Sequence, residues 1–303
     1  MRKLGFVGMA AVVGAAFAPQ VSVAQDFGGG TFLSIRDCST IALADGCVQA
    51  NGSVPPRIAT VSEGAMGVAP NSSVSLEGFG SATGSVTFGG PAALPVIRGT
   101  SVTTENSRNG SSVHAIQTYT WTGTAATTVP LVGTLDFLRS ATNTWDSNNQ
   151  NGISDSAVIG VTISLFDPTV ISPADMFNRL LVGDSGSCGE AGILAHGFFD
   201  DGGNTGDVAI TIDMQNDCSG EPFEVSPGES FSVAMFQQLI SVRGGWLDAS
   251  NTFELVFAPD APPQLLAELE AGLAPASVPE PGTFALIGLG LAGLGLSRRR
   301  NPS

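Results

Sequence analysis

Four cysteines, at positions 38, 47, 188 and 218, are the residues of this chain whose types and spacing leave the most chemistry open. A thiol can act as a nucleophile, ligate zinc or form half of a disulfide. No Cys-x-x-Cys spacing occurs and the chain holds only 2 histidines, so a zinc site or a thiol nucleophile is disfavoured. In an exported chain, an even number of cysteines favours disulfides instead, although the count alone leaves the pairing open.

The pairing that the sequence favours follows from a predicted hairpin. Alternating apolar residues predict strands over Ile193–Phe199 and Val208–Met214, joined by a turn rich in Asp, Gly and Asn. Cys188 and Cys218 lie at nearly equal distances outside this turn, so paired strands would bring them together. We therefore predict a Cys188–Cys218 disulfide, worth roughly 3 to 4 kcal/mol on the chain-entropy estimate, and a second disulfide, Cys38–Cys47.

Two oxygen-rich turns are candidate calcium sites. Asp146, Asn148 and Asp155 belong to a segment of alternating oxygen-bearing side chains that contains a glycine, as calcium-binding loops do. The registers that align this glycine lose the first aspartate, and no glutamate stands at the twelfth position. The turn with Asp200 and Asp207 is equally loose. An ordinary Asx-rich turn is the alternative for both, so the expected cofactor is either none or calcium.

Serine and histidine are the remaining candidates for catalysis. Gly183-Asp184-Ser185-Gly186 resembles the segment around the nucleophile of trypsin-like serine proteases, but the upstream His114 lacks the sequence setting of those enzymes. A turn that closes a preceding helix is the alternative. His196 has no nucleophile at a defined spacing, and a lone strand histidine is usually half-buried. Because neither a triad nor paired carboxylates can be identified, we expect no enzyme activity.

Three tryptophans are candidate contacts for sugars. The apolar faces of Trp121, Trp145 and Trp246 could serve as platforms on which sugar rings stack. Burial in a core is the more common fate of tryptophan. Exposed, coplanar tryptophans would therefore indicate carbohydrate binding, whereas buried ones would indicate a structural role.

The C-terminal segment 278–303 has three parts in order. Val278-Pro279-Glu280-Pro281 is a rigid polar motif, Phe284–Leu296 carries no charge, and a basic stop of Arg298, Arg299 and Arg300 follows. The apolar run is expected to form a transmembrane helix, with the arginines on the cytoplasmic side. As a helix it would be about 20 Å long, against about 30 Å of hydrocarbon. Such a segment is a poor permanent anchor but suits a tail that is held briefly and then cut.

These three parts resemble the PEP-CTERM sorting signal of Gram-negative bacteria that make exopolysaccharide. In that family exosortase, a membrane-embedded cysteine protease, recognises Pro-Glu-Pro, removes the helix and passes the body to the cell surface or matrix. The resemblance covers roughly 278–300 and implies that Val278, Pro279, Glu280 and Pro281 form the recognition motif. It also implies transient anchoring in the inner membrane and an exosortase-like protease as partner. An ordinary single-pass tail anchor is the alternative.

The N-terminus independently predicts export. Arg2 and Lys3 form a basic start, Leu4–Ala18 is apolar, and Ser22-Val23-Ala24 offers the small residues that signal peptidase reads. A signal peptide over 1–24 is therefore expected, with signal peptidase and the general secretion machinery as partners.

The charge of the body excludes one class of partner. Residues 25–280 hold all 27 acidic residues of the chain, only seven arginines and no lysine, which is a net charge of −20. A field of that sign repels phosphate, so nucleic acid is not an expected partner. The acidity predicts solubility outside the cell, or a surface that cations can cross-link.

The elements that must position these residues are predominantly strands. Strict alternation of apolar residues is strongest over Ala157–Leu165, and similar or weaker runs recur along the body. These further runs are Ile58–Val61, Val74–Phe88, Val96–Thr103, Val113–Trp121, Val129–Phe137, Val208–Met214, Phe231–Met235 and Phe253–Phe257. The pattern predicts an all-β fold, an antiparallel β-sandwich of the jelly-roll or immunoglobulin-like kind.

Two short helices are expected to interrupt the strands. Ser172-Pro173-Ala174-Asp175 has the form of a helix start that leads into Met176–Val182. Pro263–Ala271 is the second candidate. The predicted organisation is a signal peptide over 1–24, a β-sandwich body over 25–260, a short helix and spacer over 261–277, and the sorting signal over 278–303.

Together these features predict an exported, exosortase-processed structural or interaction protein of the cell surface or biofilm matrix. In this interpretation the protein is the substrate of the protease chemistry and not its agent. The alternative is a secreted carbohydrate-binding module that holds exopolysaccharide, assisted by calcium.

Overall fold

The computed structural model describes residues 27–37, 58–88, 94–104, 107–140, 156–201 and 205–271. In this part of the chain, every pairing between strands is antiparallel and the strands form two large sheets. The predicted all-β sandwich is therefore confirmed. The predicted signal peptide (1–24) and sorting signal (278–303) lie outside the described residues. Within them, no helix has the length and apolar character needed to cross a membrane.

The strands and helices follow one another along the whole described part. In chain order they are β1 (Phe27–Asp37), β2 (Ile58–Met66), β3 (Asn71–Leu76), β4 (Gly80–Phe88), β5 (Pro95–Thr103), β6 (Ser107–Trp121), β7 (Thr127–Thr128), β8 (Leu131–Ser140), β9 (Ser156–Phe166), α1 (Pro173–Leu180), β10 (Ile193–Asp201), β11 (Thr205–Met214), β12 (Glu224–Val225), β13 (Ser230–Val242), β14 (Trp246–Phe257), α2 (Leu265–Glu268) and β15 (Leu269–Ala271). Each run expected from alternation forms strand, but Val74–Phe88 is divided by a turn into the paired strands β3 and β4.

The strand order is that of a jelly roll extended at one edge. Sheet A has the order β10-β9-β13-β6-β1-β2, with β15 also paired to β6, and sheet B has the order β11-β8-β14-β5-β4-β3. The two sheets pack face to face, with β6 lying over β5 and β4, β13 over β5 and β14, and β1 over β4 and β3. From β5 to β14 the long strands have jelly-roll connectivity, and β1 to β4 widen both sheets. A separate ribbon pairs β7 with β12.

Alternation along the strands explains where the core lies. In β9 the side chains of Ala157, Ile159, Val161, Ile163 and Leu165 are all buried, as the sequence pattern predicts. They contribute to one apolar cluster between the two sheets, which also contains large aromatic side chains from β6, β8, β13 and β14. The opposite face of each strand is an outer face of the sandwich.

Strand β1 was not expected, because it contains three consecutive glycines, which are depleted in strands. It nevertheless lies between β6 and β2 in sheet A. A Cβ atom on Gly30 would lie 2.2 Å from Nε2 of His114, its register partner on β6. The imidazole ring of His114 therefore occupies the space where a side chain at position 30 would be.

The predicted hairpin between β10 and β11 is wrong. β10 pairs with β9 in sheet A, whereas β11 pairs with β8 in sheet B. The two strands lie over each other at one edge of the sandwich. Their apolar faces meet across the core and not side by side, which is an arrangement that the same alternation permits.

The second predicted helix is mostly not helical. Only Leu265–Glu268 forms α2, and the chain then becomes extended as β15, in which Leu269 pairs with Trp121. Leu265 and Leu269 are both buried in the main core. Burial of these leucines against β6 favours the extended strand over continuation of a marginal helix.

Helix α1 begins where the sequence predicts. The Oγ atom of Ser172 accepts a hydrogen bond from the backbone N–H of Asp175 at 3.1 Å, and Pro173 occupies the first turn. The helix belongs to the β9–β10 connection, residues 167–192, which we call the cap. Met176 and Phe177 pack against Ile116 and Ala234, so the cap covers one half of the outer face of sheet A.

Candidate functional site

The Gly183-Asp184-Ser185-Gly186 segment closes helix α1. The backbone N–H of Asp184 donates to the carbonyl of Arg179, and Gly183 has a φ of 79°, which together form a Schellman-type helix end. The carboxylate of Asp184 accepts two hydrogen bonds from the Arg179 guanidinium, at 2.8 and 2.9 Å. These bonds lower the pKa of Asp184. The segment is therefore a turn in the cap, as the alternative to the protease motif proposes.

The buried Ser164 and the half-buried His196 form a polar pair beneath this turn. Ser164 Oγ lies 3.1 Å from His196 Nδ1 and donates to the carbonyl of Ser185 at 2.7 Å. Since the hydroxyl proton goes to Ser185, Nδ1 of His196 must be the donor to Oγ. Ser164 is fully buried, and burial lowers the pKa of His196. This pair fastens the cap to sheet A and is not placed to attack a substrate.

His114 is also enclosed by the cap. It is 1% exposed, its ring lies 5.0 Å from that of Phe177, and neither ring nitrogen has a hydrogen-bond partner among the described residues. Burial lowers the pKa of His114 to about 4. The imidazole is therefore neutral near pH 7 and closed off from any substrate.

The predicted Cys188–Cys218 disulfide is present. The two Cα atoms are 5.4 Å apart, and the bond joins the cap to the segment that follows β11. The prediction is confirmed although the hairpin behind it is wrong, because β10 and β11 lie over each other at the same edge. Cys38 and Cys47 lie outside the described residues, and their disulfide stays a prediction.

The predicted calcium ligands are not placed by the structure. Asp146, Asn148 and Asp155 lie outside the described residues, as do the side chains of Asp200 and Asp207 at the ends of β10 and β11. Among the side chains that are described, no three His, Cys, Asp or Glu residues form a group that could hold a metal ion.

The described tryptophans do not form a sugar-stacking platform. Trp121 is 2% exposed, points into the core and donates its indole N–H to the carbonyl of Ala125. Trp246 is half-buried on the outer face of sheet B, opposite its buried neighbour Leu247. Trp145 lies outside the described residues. By the criterion set from the sequence, these two positions favour a structural role for the tryptophans.

The half of the outer face of sheet A that the cap leaves open contains a groove of about 250 Å³. Eight of its lining residues, together with Val242, form a block of nine, three from each of the adjacent strands β1, β6 and β13. In register order these are Phe32, Ser112 and Gln238; Ser34, Gly110 and Ile240; and Arg36, Arg108 and Val242. We call this block the groove.

Glycine at its centre keeps the groove open. A Cβ atom on Gly110 would have nothing within 4 Å, so no group from the described part of the chain packs over this part of β6. Phe32 at one end is 43% exposed and Gln238 is also exposed. The floor is therefore backbone and small side chains, flanked by an aromatic ring and an amide.

Two arginines occupy the other end of the groove. Arg36 and Arg108 are direct register partners on β1 and β6, and both point to the outer face because their neighbours Ile35 and Asn109 are buried. Burial, and secondarily the Arg36 charge, lower the pKa of Arg108. Among the described residues that line the groove, none is acidic. Two like charges side by side in this arrangement can bind an anionic group.

Sequence analysis did not identify the groove. Its three strands are separated by about 70 and 130 residues along the chain, and β1 was not predicted at all. The scarcity of arginine in an acidic body was the one available signal, but only the register of β1 and β6 brings two of the arginines together.

The C-terminal tail matches a known family model. Residues 277–300 match the PEP-CTERM protein-sorting motif, which confirms the resemblance expected from Val278, Pro279, Glu280, Pro281 and the basic stop. The match covers the tail only. The motif and Arg298, Arg299 and Arg300 lie outside the described residues.

Comparisons of the body show only remote likenesses. No curated protein matches the chain. A Bacteroides thetaiotaomicron protein proposed to be a glycoside hydrolase is 10% identical to this chain, with a TM-score of 0.30. The match covers 58% of this chain and 57% of that protein. A family 11 carbohydrate-binding module from Clostridium thermocellum, in complex with a β-1,3-1,4-mixed-linked tetrasaccharide, is 10% identical over 60% of this chain and 89% of its own, with a TM-score of 0.18. A carbohydrate-binding module in complex with β-1,4-galactotriose is 6% identical over 58% of this chain and 82% of its own, with a TM-score of 0.17.

Proposed function

We propose that this chain is an exported, exosortase-processed protein that ends at the cell surface or in the extracellular matrix of a Gram-negative bacterium. The sorting motif over 277–300 carries the proposal, since it marks a protein as an exosortase substrate. The sandwich is then the cargo that the tail delivers.

A non-catalytic, structural or interaction role fits the body best. The serine and histidine candidates support it, because the Ser185 segment is a helix-closing turn, His114 is buried and His196 bonds the buried Ser164. The disulfide Cys188–Cys218 supports an oxidising destination. The strongly acidic surface supports a protein that stays dispersed outside the cell and does not bind nucleic acid.

Cell fractionation tests the sorting step. The wild type is compared with a Pro279→Ala, Pro281→Ala double variant, and Pro227→Ala with Pro263→Ala serves as a matched control, because it removes two exposed prolines from the body. We expect a shortened wild type and control outside the cell, and an uncut double variant in the inner membrane. Mass spectrometry of the released protein should find no Arg298, Arg299 or Arg300. Equal distribution of all three proteins, or a released chain that keeps these arginines, would overturn the proposal.

A further inference from the structure

We propose that the groove on the outer face of sheet A binds a carboxylated sugar, such as a uronate residue of an acidic polysaccharide. Arg36 and Arg108 would bind the carboxylate, and Phe32 would stack on the apolar face of a neighbouring sugar ring. The inference deepens the proposed function by naming the class of matrix partner. The inference rests on the proposed function in one respect only: export to the cell surface or matrix is what brings the protein into contact with the polysaccharide.

The charge distribution favours an anionic ligand at this position. The body has seven arginines against 27 acidic residues, yet two of the seven are cross-strand neighbours in one groove. On the outer face of sheet B, Asp136, Asp248 and Glu254 of β8 and β14 are acidic, and Arg98 of β5 is basic, so that face does not pair two arginines in the absence of acidic neighbours as the groove lining does.

The net negative charge of the body does not prevent such binding. At physiological ionic strength, exposed charges more than about 8 Å apart are largely screened. A carboxylate that contacts two guanidinium groups lies well within that range, and charge-assisted bonds from arginine are among the stronger hydrogen bonds. Its attraction to the two guanidinium groups is therefore screened less than its repulsion from carboxylates beyond that range.

The other end of the groove favours a sugar over a bare anion. From Phe32 to Arg36 the groove extends over five residues of β1, or about 13 Å between the first and the last, which is enough for a short oligosaccharide. Phe32 offers an exposed ring for stacking, and Gln238 and Ser112 offer an amide and a hydroxyl for sugar hydroxyl groups. The open floor at Gly110 allows the ligand to approach the backbone of β6 closely.

Calorimetric titration of the full chain in mild detergent tests the proposal. The ligands are a tetrasaccharide of 1,4-linked galacturonate, its carboxyl-reduced galactose counterpart, and inorganic sulfate. The variants are Arg108→Gln, Phe32→Ala and the matched control Arg98→Gln. Arg98 is half-exposed on β5 in sheet B and bonds Thr87, so the control removes the same charge from the opposite face.

We expect the wild type to bind the galacturonate tetrasaccharide at least about tenfold more tightly than either the reduced sugar or sulfate. Arg108→Gln should weaken galacturonate binding about tenfold or more, Phe32→Ala should weaken it severalfold, and Arg98→Gln should leave it within about twofold. Thermal unfolding of each variant confirms that it is folded, and the exposed Phe32 provides a test that does not depend on Arg108. Equal binding of the acidic and reduced sugars, equal effects of Arg108→Gln and Arg98→Gln, or sulfate binding as tight as that of galacturonate would overturn the proposal. The sorting experiment uses cells and the tail, so the two proposals fail separately.

Discussion

The outer face of sheet A is divided into two halves that share their strands but differ in what lies above them. Under the cap, His114 and Ile116 on β6 are fully enclosed by Met176 and Phe177 of α1. A few residues earlier on the same strand, Gly110 has no atom of the described residues within 4 Å of its Cβ position. The covered half is an apolar cluster that also encloses His114 and Ser164, whereas the open half carries two arginines and an exposed phenylalanine.

This difference shows that the β9–β10 connection, and not the strands, decides which part of the face can serve a ligand. Alternation places His114 and Gly110 on the same outer face, since they are four residues apart. The half beneath the cap, which contains His114, is buried and therefore contributes to the stability of the fold. Predictions that separate the two halves therefore concern stability on one side and binding on the other.

Loss of the cap's disulfide should have the largest effect. Replacing both cysteines, as in Cys188→Ala with Cys218→Ala, releases the cap from the segment after β11, and the 30-residue separation corresponds to about 3 to 4 kcal/mol of unfolding free energy. Urea denaturation of the double variant and of the wild type measures the difference. Identical midpoints with an unchanged slope would show that the cap is held without the bond.

Acidification should weaken the covered half through His114. Its pKa in the folded protein is lowered from the ordinary 6.5 to about 4, so the neutral form stabilises the fold. This stability is fully present above about pH 6.5 and is lost as the pH falls toward 4, by an amount on the order of 2 to 3 kcal/mol. Melting temperatures between about pH 7 and pH 4.5 should fall more for the wild type than for His114→Phe, whereas His196→Gln should keep most of the pH dependence. If the melting temperature of His114→Phe fell with pH as much as that of the wild type, the effect would come from carboxylates and not from His114.

A single methyl group at Gly30 should also destabilise the covered half. The new Cβ would lie 2.2 Å from Nε2 of His114, whose ring is held against Phe177, and overpacking of this kind costs about 1 to 3 kcal/mol. Gly30→Ala should therefore lower the denaturation midpoint. In a His114→Ala background the same substitution should cost much less, so a double-mutant cycle that shows simple additivity would contradict the steric explanation.

Sequence reasoning predicted the strands well where a strand has one buried and one exposed face. Ala157–Leu165 is an example, because period-two burial is a local property of β9. Sequence reasoning missed β1, because Gly28-Gly29-Gly30 shows no alternation of apolar side chains. Glycine is needed there because a Cβ atom would collide with neighbours on β2, β4 and β6. Sequence reasoning also paired β10 with β11, because alternation indicates which side chains are buried and does not indicate which sheet a strand joins.

Whether a candidate site could be predicted likewise depended on whether its residues are contiguous in the chain. The sorting motif at Val278-Pro279-Glu280-Pro281 is contiguous, so composition and order suffice to identify it. Helix closure at Gly183 is equally local. The groove depends on the register of β1, β6 and β13, which sets Arg36 beside Arg108, and no pattern within one strand contains that information.

The smallest expected effect gives the sharpest comparison of the two halves. Gly110→Ala adds the same methyl group as Gly30→Ala, on the neighbouring strand and the same outer face, but into open space. Because glycine in a strand costs roughly 0.5 to 1 kcal/mol relative to alanine, this variant should be slightly more stable than the wild type by urea denaturation. The methyl group would also project into the floor of the groove, so it should weaken galacturonate binding while stability rises. Destabilisation of more than about 1 kcal/mol would mean that a group packs over Gly110, and the open half would then be as covered as the half beneath the cap.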